Sequence, residues 1–124
     1  MTERQLVVAG AVMLLIGVGA GAFGAHGLKR LISPEMLGVW QTAVLYQLVH
    51  GLGLLLLAVL CARFGVSLLG VAGGVMLLGI LIFSGSLYAL VLTDVKWLGA
   101  ITPIGGVAFL VAWGMVAVAA YRGS

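Results

Sequence analysis

Apolar residues fill four long runs of this chain, and the charges fall in the short stretches between them. Each run reaches the roughly 20 residues that a helix needs to cross a bilayer core of about 30 Å. The pattern predicts four helices, at about residues 5–26, 34–62, 66–92 and 98–121, in one four-span membrane domain covering 1–124. Connections this short leave no room for a soluble domain. The expected fold class is an all-α integral membrane protein, a four-transmembrane-helix bundle with short connections.

Local signals refine the runs. Gly10, Gly17, Gly21 and Gly24 recur at intervals of seven, four and three, so they share one face of the first helix. Small residues on a face let another helix come close, within the bundle or across a subunit interface. Gly70 and Gly74 form a second such pair in the third run. A basic start at Arg4 and the small residues Ala20-Gly21-Ala22 resemble a signal peptide with its cleavage site. The apolar stretch from Leu6 to Ala25 is long enough to span, however, and is read as a retained helix.

Ser33-Pro34-Glu35 reads as a helix start, with serine as cap, proline in the first turn and an acid beside them. No charge then appears from Met36 to Ala62, about 40 Å as one helix. The first half of this run is semi-polar, carrying Trp40, Gln41, Thr42, Tyr46, Gln47 and His50. Residues 35–49 either lie in the interface and bend near Gly51 and Gly53, or belong to one long tilted helix. Both readings bring Tyr46, Gln47 and His50 to one side. Thr102-Pro103 repeats the Ser33-Pro34 pattern and predicts the start of the full part of the last helix.

Composition agrees with the runs. Of 124 residues 64% are hydrophobic and 7% charged, where a soluble domain carries about 25% charged residues. Mean hydropathy is +1.32. The net charge of +3 is no nucleic-acid signal, because the six basic residues stand singly or as one pair at the edges of runs. With four spans, Arg4, Arg63 and Arg122 share one side and Lys29, Arg30 and Lys96 the other. Three against three leaves orientation unset by the positive-inside rule. The lone Cys61 excludes an intramolecular disulfide.

Five motifs in order resemble a known family. They are Gly21-Ala22-Phe23-Gly24-Ala25-His26-Gly27-Leu28, then Trp40-Gln41-Thr42-Ala43, then Tyr46-Gln47 with His50. Phe83-Ser84-Gly85-Ser86-Leu87-Tyr88 and Thr102-Pro103-Ile104-Gly105-Gly106 complete the set. The set is similar to the domain of unknown function 423 family of small bacterial membrane proteins, over about residues 6–121. The resemblance implies a multi-pass protein of the bacterial cell (inner) membrane whose biochemical role is unsettled. It carries no catalytic residues across.

The candidate polar cluster is His26, Gln47, His50, Ser84, Ser86, Tyr88 and Thr102. Antiparallel spans bring the ends of helices 1 and 3 beside the starts of helices 2 and 4. His26 is therefore expected near Ser84, Ser86 and Thr102, as a latch held by serine hydroxyls. An ionisable group inside a bilayer is a candidate for function, and the competing role is structural glue between helices. Zinc takes three or four ligands, and two histidines with scattered acids do not supply them, so no metal and no cofactor are expected. No nucleophile, base and acid gather in the sequence, which argues against an enzyme. A structural or accessory protein that packs with itself or a membrane partner complex is the leading function class. The alternatives are a small-solute or ion pathway through the His, Ser and Gln groups, and a lipid-interacting factor using Lys29, Arg30 and Trp97. The bilayer is the first partner; nucleic acid is not one.

Overall fold

The computed structural model describes residues 1–123, and all regular structure among them is helical. Helix α1 spans Glu3–His26, α2 Pro34–Phe64, α3 Val66–Thr93 and α4 Thr102–Arg122. All four are long and apolar enough to cross a membrane. Short 3-10 helices at Leu28–Arg30 and Lys96–Ala100 occupy the first and third connections.

The helix ends follow local chemistry. Thr2 caps α1 by accepting from the Gln5 amide, while the Gln5 side chain accepts from the Thr2 amide. Ser33 caps α2 by accepting from the Met36 amide, with Pro34 in the first turn. Between α2 and α3 the chain reverses at a single residue, Gly65, with φ +87°. That conformation suits glycine because a Cβ would clash there. α3 ends at Asp94 in the left-handed region, φ 57°.

α2 runs unbroken for 31 residues, so Gly51 and Gly53 do not bend it out of the membrane. They serve close packing instead: a Cβ on Gly51 would stand 3.1 Å from the Leu14 side chain, and one on Gly53 would stand 2.8 Å from Met76 Sδ. The full last helix starts at Thr102-Pro103 as the sequence pattern predicts, but not through a threonine cap. Residues 96–100 form a 3-10 turn, and Thr102 lies inside the first turn of α4 without capping it.

Consecutive helices pack side by side, with α1 mainly on α2 and α4 mainly on α3. α2 and α3 therefore form the centre, and their buried residues are the most numerous. One core lies toward the Gly65 turn and includes Leu6, Leu54, Leu57, Leu69, Met76 and Ile80. A smaller one, with Leu28, Trp40, Val44 and Val91, lies toward the opposite face.

The glycine face of α1 meets α2 along its length. An added Cβ would stand 2.9 Å from the Gly51 carbonyl at Gly10, and 2.8 Å from Leu48 at Gly17. At Gly21 it would reach Val44 at 3.2 Å, and at Gly24 it would strike the Trp40 ring at 2.6 Å. In lipid, helix association rests on close packing and interhelical hydrogen bonds rather than on a hydrophobic drive, so this face holds the outer helix in place. The expected pair on α3 is corrected. Gly70 does pack, against the backbone of Met1, but a Cβ on Gly74 would meet nothing within 4 Å. The close neighbour is Gly73, which receives the fully buried Leu6.

Candidate functional site

The polar residues of the spans separate into two networks and one isolated group. The first network joins α1, α2 and α3. Gln47, 3% exposed, donates from Nε2 to the Met13 carbonyl at 2.9 Å. Its Oε1 accepts from the Tyr88 hydroxyl at 2.6 Å. The carboxamide orientation follows from its partners, since a carbonyl can only accept. Ser84, 1% exposed, donates to the Ala43 carbonyl at 2.7 Å. Trp40 adds a tie toward α1, its indole N–H donating to the Ala20 carbonyl at 2.8 Å, and its ring lies 4.6 Å from that of Tyr88.

The second network joins α2, α3 and α4. The Trp113 indole donates to Nε2 of His50 at 3.0 Å. An indole nitrogen can only donate, so Nε2 must accept, and the imidazole proton resides on Nδ1. Nδ1 then donates to the Tyr46 carbonyl at 2.8 Å, one turn back on α2. The His50 ring lies flat against Phe109, with centroids 3.6 Å apart and planes 10° from parallel. Tyr46 and Phe83 extend this aromatic stack. On the same side of the bundle Ser86 and Thr102 share a 2.6 Å hydrogen bond between α3 and α4. Thr102 thus uses its hydroxyl as a tie between helices, which explains why it caps nothing.

His26 is the isolated group. It is the exposed last residue of α1, and the serines expected to latch it bond elsewhere, Ser84 to Ala43 and Ser86 to Phe83 and Thr102. The anticipated common face of Gln47 and His50 also divides, because three residues along a helix still differ by about 60° in direction. Gln47 turns toward α1 and α3, His50 toward α4. Two members of the site were missing from the sequence reading, Trp40 and Trp113 as donors. Their signal was present: an indole N–H placed inside an apolar span must find an acceptor.

Among the described residues no buried side-chain nitrogen or oxygen lacks a hydrogen-bond partner. Nor does any group of three His, Cys, Asp or Glu side chains come together as metal ligands there. What the arrangement does chemically is tie the helices to one another.

A family model described as Protein of unknown function (DUF423) matches residues 20–106. The chain is 48% identical over 120 residues to the UPF0382 membrane protein YwdK of Bacillus subtilis, covering 96% of this chain and 98% of that one. It is 47% identical over 119 residues to the UPF0382 membrane protein SAB0533 of Staphylococcus aureus, covering 96% and 97%. A UPF0382 membrane protein of Staphylococcus haemolyticus, SH2409, is 43% identical over 119 residues, again covering 96% and 97%. No solved structure matches the chain.

Proposed function

The chain belongs to the DUF423 family, and we propose that it is a non-catalytic structural or accessory protein of the bacterial cell (inner) membrane. One observation carries the reading. The buried polar side chains of the spans, Gln47, His50, Ser84 and Ser86, are all engaged in hydrogen bonds, and each bonds directly to another helix. Groups engaged in this way make a rigid bundle. The bacterial sources of the relatives support the location.

A rigid module with small connections acts by packing. All four helices expose large apolar side chains, the outer pair α1 and α4 slightly more than the inner pair, and the partner is a second copy or a membrane complex. The competing reading, a small-solute or ion pathway, requires water at His50. Phe109 and Trp113 cover that ring instead.

Crosslinking in intact membranes followed by affinity capture tests the proposal. A reproducible homo-oligomer or a defined membrane complex is the expected product. A monomer with no specific neighbour, together with solute flux in proteoliposomes that His50→Phe abolishes, would replace it with the pathway reading.

A further inference from the structure

α1 enters the bundle lower than its neighbours. The backbone of Met1 packs against Gly70, the fifth residue of α3. At about 1.5 Å per residue, α1 therefore begins about 7 Å below the Gly65 turn, and Arg4 lies deeper again. Arg63 and Arg122 stand at helix ends on the same membrane face, whereas Arg4 stands on the flank of the bundle. A charge displaced toward hydrocarbon is costly until it reaches a phosphate or water, and the apolar stem of arginine gives it that reach. The side chain of Arg4 is exposed, and a guanidinium has five N–H donors to offer.

Two apolar grooves meet at this arginine. One, of about 530 Å³, runs between α1 and α2 and is lined below Arg4 by Val7, Val8, Leu55 and Val59. The other, of about 650 Å³, runs between α1 and α3 and is lined by Val8, Gly74 and Leu77. Arg4 and Val8 belong to both grooves. Four residues apart, they form one ridge along the outer side of α1. Gly74 keeps the second groove open, since a Cβ there would meet nothing within 4 Å.

Charge selects the head group. Among the described residues Glu3 is the one acid at this face, and it lines the first groove. Arg4, Arg63 and Arg122 outnumber it, and its place in the first turn of α1 sets it against the positive end of the helix dipole. Glu35 and Asp94 belong to the opposite face. The Arg4 face is therefore net positive, and a guanidinium grips a phosphate through two parallel N–H bonds. We infer that Arg4 and its flanking grooves form a binding site for an anionic diacyl phospholipid. The phosphate sits on the Arg4 guanidinium, and the two chains descend on either side of Val8. The site goes beyond the packing role and does not depend on it.

The test is native mass spectrometry of the full chain released from nanodiscs of phosphatidylglycerol and phosphatidylcholine, in equal parts with matched chains. Retention of phosphatidylglycerol is expected to exceed that of phosphatidylcholine about fivefold, equivalent to about 1 kcal/mol for one basic residue near an anionic surface. Arg4→Gln should remove the preference, and Lys29→Gln, at the opposite face, should leave it unchanged. Gly74→Leu fills the second groove and should lower retention of both lipids without changing thermal unfolding. Equal retention of the two lipids, a preference that survives Arg4→Gln in a folded chain, or one that Lys29→Gln removes as fully, would overturn the inference. So would unchanged lipid retention in Gly74→Leu, and a smaller oligomer in that variant would give the groove to a neighbouring copy instead.

Discussion

Trp113 on α4 donates its indole N–H to Nε2 of His50 on α2, across a distance of 3.0 Å. The bond fixes the tautomer of an imidazole inside the membrane and joins two helices whose contact is otherwise made by aromatic rings. Trp113→Phe keeps an aromatic ring there and removes the donor. The expected loss is about 0.6 kcal/mol, the average for such bonds in membranes, and at most about 1.7. Equilibrium unfolding in mixed micelles would measure it. Combining the change with His50→Phe, which stays stacked on Phe109, should cost less than the sum. Additive losses would show that the two side chains are not coupled.

Gln47 and Tyr88 make a second pair open to the same logic. Gln47→Leu removes the acceptor of the Tyr88 hydroxyl and the donor to Met13 at once. An orphaned buried hydroxyl costs about 1–3 kcal/mol. Tyr88→Phe added to Gln47→Leu should recover part of that loss, since no hydroxyl then lacks a partner. If the double variant is less stable than Gln47→Leu alone, Tyr88 has found another partner and the network differs from the one described.

Adjacent glycines on α3 are predicted to behave oppositely. Gly73 receives Leu6, and a Cβ there would overlap that side chain, whereas Gly74 faces open space. Gly73→Leu should destabilise the bundle by about 1–3 kcal/mol through overpacking. Gly74→Leu should leave the thermal midpoint of the purified monomer unchanged. A loss of oligomer size in Gly74→Leu, with monomer stability intact, would assign its groove to a neighbouring protein chain.

Hydropathy made the four spans legible because a membrane admits so few backbone solutions. Ser33-Pro34 was legible as a start because its cap is local, made with the Met36 amide. Thr102-Pro103 looked the same in sequence and differs in space, since Thr102 finds Ser86 from another helix. The glycine face of α1 was readable from spacing, although spacing left open whether it met α2 or another subunit. On α3, spacing favoured Gly74, while the position of Leu6 on a different helix selects Gly73. The polar set was recognisable as residues and not as networks. Its partners are main-chain carbonyls of other helices, at Met13, Ala20 and Ala43, and no side-chain pattern announces a carbonyl.

Topology gives the last prediction. Four antiparallel spans put exposed Arg4, Arg63 and Arg122 at one membrane face and exposed Lys29, Arg30 and Lys96 at the other. Single cysteines in place of Arg4, Lys29, Arg63, Lys96 and Arg122 report on both faces. The background is Cys61→Ala; Cys61 is buried among the core residues near the Gly65 turn, so its removal costs some packing and also removes the competing thiol. A membrane-impermeant maleimide added to one side of sealed vesicles should label either the three arginine positions or the two lysine positions. Equal charge on the two faces gives the positive-inside rule nothing to choose with, so labelling also fixes the orientation. Modification of Arg4→Cys and Arg122→Cys from opposite sides would mean an odd number of crossings. That outcome would remove α1 or α4 from the membrane, and with it the packing of the α1 glycine face inside lipid.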